Sequence, residues 1–288
     1  MTWDDLDAHL DKVPGTVSAY VGRLDAPPTW TRQADATHYA ASTMKVAVLV
    51  ALHRAAEAGR LDLDAPIPVR NAFDSALPGA PRFANAQHYD NDDDVWARVG
   101  GEAPLRWLAE RMIVRSSNLA TNICIGQVGL PAVAEAWKLA GARHSVTGRG
   151  IEDFAARDAG IDNLVTAADL AALLGGLALG ARRPGPLASP AACADMLDVL
   201  FAQEHREDLA AGLPEGTRIA HKNGWVRGVR HGAGVVFPAD APPYAVVVCT
   251  TTDLADGGPS GEEVEDDACR LIAHVSARVW AARHDLAG

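Results

Sequence analysis

The β-forming segments of this chain sit at its two ends, and that segregation limits its possible folds more than any other feature. Residues 16–23 (Thr-Val-Ser-Ala-Tyr-Val-Gly-Arg) and 36–40 read as strands on either side of a Pro27-Pro28 turn. Three more runs, 217–225, 230–237 and 244–252, follow one another across Gly- and Pro-rich connections. Among them, Val246-Val247-Val248 is a buried-strand signal. Neither group makes a covered sheet alone, so the two ends must pair and the segment between them must be an insertion. The result is an α+β chain.

The insertion is helical. Ala41 and Ser42 start a strong apolar helix that runs to Arg60, with Gly59 near its end. Residues 62–101 are rich in Pro, Gly and Asp and read as irregular. Helical stretches follow at about 104–115, 118–128 and 131–141, then a loop-like 143–165, then helices at 166–180 and about 189–202. Residues 3–12 form an amphipathic helix with Trp3, Leu6 and Leu10 on one face. A final helix over about 261–284 carries Val264, Ala268, Leu271, Ile272 and Val275 as a stripe.

Charge and composition narrow the partners. Across 288 residues, 26 Lys and Arg against 37 Asp and Glu give a net charge of −11. Without a basic patch there is no electrostatic attraction to nucleic acid or an anionic membrane, so neither partner is expected. No window holds enough uninterrupted apolar residues for a transmembrane helix. Met1 to Asp7 is acidic and amphipathic, unlike a secretory signal. The chain as given is therefore expected in the cytoplasm, or in the periplasm or outside the cell if its start was removed. Cys124, Cys193, Cys249 and Cys269 are widely spaced in apolar segments and form no C-x-x-C, so they read as buried reduced thiols. Asp90, Asp92 and Asp94 have the opening spacing of a calcium loop, but Val95 stands where the glycine belongs and Gly101 where the glutamate belongs. They read as a solvated acidic loop.

Three local motifs carry chemistry. Ser42-Thr43-Met44-Lys45 opens the apolar helix and puts a hydroxyl and an amine on one helix face. A serine needs a base beside it to become a nucleophile, and a lysine can be that base only if burial or another cation lowers its pKa. The helix start also leaves the Ser42 N–H among the unpaired donors that could hold an oxyanion. Taken alone, such a spacing is more often a cap and a solvated lysine, but the flanks Val46 to Val50 argue for burial. Ser116-Ser117-Asn118 opens a later helix and, alone, is an N-cap. His221-Lys222-Asn223-Gly224 lies on the first C-terminal strand and, alone, is an edge lysine beside a bulge glycine.

Together and in this order, the three motifs resemble the S-x-x-K, S-D-N and K-T-G set of class A β-lactamases and penicillin-binding proteins. Ala120-Thr121-Asn122 after the second motif and Trp225 to His231 after the third extend the likeness, which spans about residues 15–280. The resemblance implies a five-stranded antiparallel sheet with terminal helices packed on it (residues 1–60 and 215–288), beside an all-helical domain (61–214). It also implies roles. Ser42 would be acylated, with Lys45 as its proton partner and Ser116 relaying a proton to the leaving nitrogen. Asn118 would bind the substrate's amide side chain, and Lys222 would add positive charge and depress the Lys45 pKa. Gly224 and Asn223 belong to the binding strand. The Trp225 N–H would complete the oxyanion hole with that of Ser42, and Arg230, or Arg227, would hold the substrate carboxylate. Glu152, 36 residues beyond Ser116, would position the deacylating water, with Asp153 as the alternative, and Arg149 and Asp162 would close that loop with an ion pair. His231 reads as a cleft-lining residue.

Departures from the pattern are as specific as the matches. Ser117 replaces an aspartate whose buried carboxylate braces the second motif, Asn223 replaces a hydroxyl residue, and Ala156 replaces an asparagine that would help hold the water. The Ser42–Ser116 segment is also longer, with the excess around Phe83 to Gly101. The expected activity is attack on a β-lactam or acyl-D-amino-acid-like amide by a monomer, with no metal or organic cofactor implied. A D-Ala-D-Ala-type peptidase, an esterase or a biosynthetic amidase on the same scaffold is the alternative. A non-catalytic binding module is a third reading.

Overall fold

The computed structural model describes residues 2–257 and 266–287. Its largest sheet has five antiparallel strands in the spatial order Trp30–Arg32, Thr16–Arg23, Tyr244–Thr251, Val229–Phe237 and Arg218–Val226. Strands from the two chain ends meet at its centre, where Thr16 to Arg23 pairs residue by residue with Thr251 to Tyr244. The second N-terminal strand differs from expectation. Trp30-Thr31-Arg32 folds straight back on Ala19–Val21 after the double proline, while His38–Tyr39 joins a separate small sheet with Asn163–Val165 and Val146–Thr147. The turn is shorter than the sequence suggested because Thr29 N already donates to Val21 O at 2.8 Å.

Alternation along the central strand divides the core in two. Tyr244, Val246 and Val248 face a cluster with Val17, Ala19 and Val21, the Leu6 and Leu10 side of the Trp3–Leu10 helix, and Leu271, Ile272, Val275 and Val279 of the Asp267–Ala281 helix. Ala245, Val247 and Cys249 face the other way, into the larger cluster that includes the Ala167–Gly180 helix. Residues 261–265 of the expected final helix, Val264 among them, lie outside the described residues. No helix among the described residues is long and apolar enough to cross a membrane.

The Lys45–Glu57 helix is the pivot of the larger cluster. From Lys45 to His53 every residue is buried, which fits a helix apolar on all sides with neighbours all round it. The Leu105–Val114, Asn118–Val128 and Leu130–Leu139 helices pack around it. At about 1.5–3 kcal/mol for each large apolar side chain fully buried, this packing holds the first turn of the pivot rigidly against its surroundings. The four cysteines are buried and unpaired, and burial pushes the thiols of Cys124 and Cys249 well above their ordinary value.

Candidate active site

Ser42 lies in a 3-10 turn, Ala41–Met44, that precedes the pivot helix, so the expected single helix from Ser42 is a turn followed by a helix. Ala41 has φ +44°, a conformation that costs a non-glycine residue about 1–3 kcal/mol and turns the chain sharply before the serine. Only four non-glycine residues have positive φ among those described, and Ala41, Ser116 and Glu152 are three of them. Ala41 and Glu152 line one cleft of about 740 Å³, together with Ser42, Asn118, Trp225 and Arg227 among others, and Ser116 lies buried two residues before Asn118. Strain concentrated at one cleft is a mark of a functional site.

Lys45 is fully buried and turned toward the second motif. Its Nζ donates to the Ser116 carbonyl oxygen at 2.7 Å, to Ser116 Oγ at 3.2 Å and to Asn118 Oδ1 at 2.9 Å. The left-handed backbone of Ser116 (φ +58°) presents its carbonyl and hydroxyl to one amine. Burial lowers the Lys45 pKa to about 7, against the opposing pull of the Asp90 charge. Near neutral pH this amine therefore exists in both forms, as a proton acceptor requires.

Asp90 supplies what the second motif lacks. Ser117 Oγ donates to Asp90 Oδ2 at 3.2 Å and Leu119 N donates to the same oxygen at 2.8 Å, while Ser117 Oγ also caps the Asn118–Val128 helix at Ala120 N. Asn118 Nδ2 donates to the neighbouring Tyr89 carbonyl at 2.9 Å. The extra residues between Ser42 and Ser116 thus bring a carboxylate from outside to brace the loop. The reading of 90–94 as a solvated acidic loop holds for the exposed Asp93 and Asp94 and fails at Asp92. Asp92 is 2% exposed and makes a two-pronged pair with Arg111, which Asp94 also contacts.

The third motif approaches from the sheet edge. Lys222 is fully buried, and its Nζ donates to the Asn223 carbonyl at 2.9 Å and Oδ1 at 3.1 Å. Burial first, then the charge of Lys45, holds its pKa well below the ordinary ammonium value. His221 is equally buried and kept neutral, its pKa lowered to about 3 by burial and then by the charge of Arg206. Gly224 lets the strand touch the nucleophile's turn. A Cβ there would lie 2.7 Å from Ser42 N and 3.0 Å from Thr43 N. Gly224→Ala is therefore expected to push strand and turn apart, with about 1–3 kcal/mol lost in a denaturant titration. A larger loss of at least tenfold is expected in any reaction at Ser42.

One expected site residue lies outside the cleft, and another lines it with its oxygens engaged elsewhere. Arg230 does not line the cleft. It is almost fully buried, donates to Glu207 Oε1 at 2.8 Å, and has Asp208 and Asp266 oxygens at 3.6 and 3.8 Å. Three acids around one guanidinium leave it little field for a substrate carboxylate, whereas Arg227 faces the cleft. Glu152 lines the cleft, but its two oxygens accept from Asn85 Nδ2 at 2.9 Å and Ala86 N at 2.8 Å, not from Lys45. Its neighbour Ile151 has its N–H and carbonyl both held by the Asn122 amide, at 2.8 Å each. Asp153 is fully buried and binds Ser75 Oγ and Ala76 N, and His231 is buried against Tyr39 O. The structure thus joins Lys45, Ser116 and Asn118 by hydrogen bonds, sets Lys222 in their electrostatic range, and packs Gly224 on the turn that carries Ser42.

Comparison with known proteins gives the family and the fold. A sequence model described as the β-lactamase enzyme family matches residues 2–282. A β-lactamase of Rhodobacter capsulatus is 34% identical over 134 residues, which are 45% of this chain and 41% of that protein, so the match spans about two fifths of the relative's length. Among solved structures, PBP-A superposes with a TM-score of 0.77 at 24% identity, covering 98% of this chain and 96% of that one. A class A β-lactamase from Mycobacterium abscessus superposes with a TM-score of 0.77 at 18% identity, covering 97% and 98%. These superpositions show a shared fold.

Proposed function

The chain belongs to the β-lactamase enzyme family, and from that footing we propose that it is a serine hydrolase that opens a β-lactam amide through an acyl-enzyme on Ser42. The observation that carries this reading is the fully buried Lys45, brought to a pKa of about 7 and hydrogen-bonded to Ser116 and Asn118 one helical turn from Ser42. Neutral Lys45 takes the Ser42 Oγ proton, and Oγ bonds to the amide carbon. The N–H groups of Ser42 and Trp225 hold the developing oxyanion. The C–N bond then breaks, and the proton passes by way of Ser116 Oγ to the departing nitrogen. Lys222 and Asn223 supply amine and amide donors from the sheet side, Asn118 orients the substrate amide, and Arg227, on the cleft wall, takes the substrate carboxylate. The cleft falls between the sheet-bearing part (1–60 and 215–288) and the helical part (61–214). All of these side chains come from one chain, so a monomer suffices. A mutant of PBP-A solved as an acyl-enzyme complex with penicillin-G supports the same covalent chemistry on this scaffold.

Water must finally resolve the ester, and here the engagement of Glu152 with Asn85 and Ala86 favours a slow second half-reaction. That observation keeps the peptidase-like reading as the alternative, in which the ester forms readily and persists. The test follows the mass of the whole protein with time after a pulse of benzylpenicillin. An adduct that forms in seconds and clears over minutes or longer is expected, with Glu152→Gln changing its lifetime by less than about threefold. Clearance within a second that Glu152→Gln abolishes would show instead that the glutamate leaves its loop partners to activate water. Absence of any adduct would remove the hydrolase altogether.

A further inference from the structure

Arg149 is a buried cation without a counter-charge among the described residues, and it faces the same cleft as Ser42. It is 2% exposed. Its Nη1 donates to the Gly150 carbonyl at 3.2 Å, its guanidinium carbon lies 5.7 Å from the centre of the Tyr39 ring, and its Nε has no partner among the described residues. The ion pair with Asp162 that the sequence suggested does not form. Asp162 is exposed, its backbone oxygen accepts from Gly148 N, and no carboxylate lies within 4.0 Å of Arg149 among the described residues. Two of the other charges on this wall are already occupied. Arg157 at the rim pairs with Asp158, and the Glu152 oxygens are held by Asn85 and Ala86.

A guanidinium taken out of water without an anion is costly, and a planar carboxylate is the partner that its fork of donors fits best. Beside it in the same wall, Phe154 is 48% exposed, with the Arg157 guanidinium carbon 4.7 Å from its ring centre, and its free edge offers an apolar contact. We infer that this wall is an anion subsite centred on Arg149, and that the substrates of the Ser42 reaction carry a carboxylate on the acyl side of the scissile amide, next to an aryl or alkyl group. This inference rests on the reading of Ser42 as the acylated residue. It runs against the overall charge, because a chain at −11 repels an additional negative group. A preference for the more anionic ligand therefore needs a local cation.

The experiment compares acylation rate constants for benzylpenicillin and α-carboxybenzylpenicillin, which differ by one carboxylate, in the wild-type protein, Arg149→Gln and Asp162→Asn. The wild type is expected to react at least tenfold faster with the carboxylated ligand, and Arg149→Gln to bring that ratio close to one. Should Arg149→Gln fail to fold, phenylmalonate, which has no amide to cleave, is expected to slow benzylpenicillin acylation of the wild type competitively, and phenylacetamide is not. Equal rates for the two penicillins, a ratio unchanged in Arg149→Gln, or no protection by phenylmalonate would each overturn the subsite. So would a preference that appears only in Asp162→Asn, which would mean that Asp162 holds the guanidinium in solution. Formation of either adduct at equal rates leaves the Ser42 chemistry standing, whereas no adduct with either ligand removes the reading on which the subsite rests.

Discussion

Ser42→Ala is expected to abolish covalent labelling by benzylpenicillin, a loss of at least about a thousandfold, because Ser42 is the serine on the cleft wall, one helical turn from Lys45, whereas Ser116, whose Oγ lies 3.2 Å from Lys45 Nζ, is fully buried. The same change is expected to leave the fold intact. Ser42 Oγ makes no hydrogen bond among the described residues, so its removal orphans nothing, and the melting temperature should stay within a few degrees. The pairing of the two outcomes matters. A variant that loses labelling together with its cooperative unfolding transition would say nothing about the nucleophile, whereas labelling that survives in the folded variant would place the reactive group elsewhere. Stopped-flow competition with a chromogenic cephalosporin, alongside a thermal melt, reads both.

The next largest effect is expected from Lys45→Met, which keeps the length of the side chain and deletes its charge and proton. Acylation should fall by about three orders of magnitude. In the wild type the rate should rise with pH through about 7 and level off above it, since only the neutral amine accepts the Ser42 proton. Asp90→Asn gives the control on this profile. The Asp90 charge raises the Lys45 pKa, so its removal is expected to move the midpoint downward. It also weakens the hold on Ser117 and Leu119 by about 1–2 kcal/mol.

Stability carries an independent signature of the buried amine. The folded Lys45 pKa is about 7 and the ordinary value is 10.5, so between those limits the unfolded chain binds a proton that the folded chain does not. The wild type should therefore gain stability relative to Lys45→Met as pH rises from about 7 toward 10. Below 7 both forms of the wild type are protonated, and the full cost of the buried charge remains. A difference in stability between the two proteins that is flat with pH would show that Lys45 reaches solvent.

The parts of this site that were legible in the sequence are those written locally. Ser42 and Lys45 are three residues apart on one turn, Ser116 and Asn118 open one helix, and Lys222 to Trp225 lie on one strand, so each motif carries its own geometry in its spacing. The pairing of the two chain ends was legible because neither strand group covers itself. Long-range contacts were not. Nothing near Ser117 announces that Asp90 bonds to it across 27 positions, although the acidic run around it was a visible signal that was read as solvated. Arg230 looked available because its three acids come from Glu207, Asp208 and Asp266, two of which lie in a separate segment and one beyond the last strand of the sheet. Glu152 was placed by counting along the chain. The positive φ at that residue and the grip of Asn122 on Ile151 decide which side chain meets the cleft, and neither is visible as a pattern. Trp30 to Arg32 was missed because three residues are too few for alternation to show.

The central proposal is that a hydroxyl at position 42 reacts with the help of two fully buried lysines, Lys45 and Lys222. Peptide mapping of the wild-type protein, quenched seconds after exposure to benzylpenicillin, tests it most directly. The expected result is a single modified peptide, the one containing Ser42 and Lys45, heavier by the mass of the whole penicillin and with the fragment ions locating the added mass on the serine. An adduct on any other residue, or an unmodified map at a penicillin concentration that saturates a related enzyme, would contradict it.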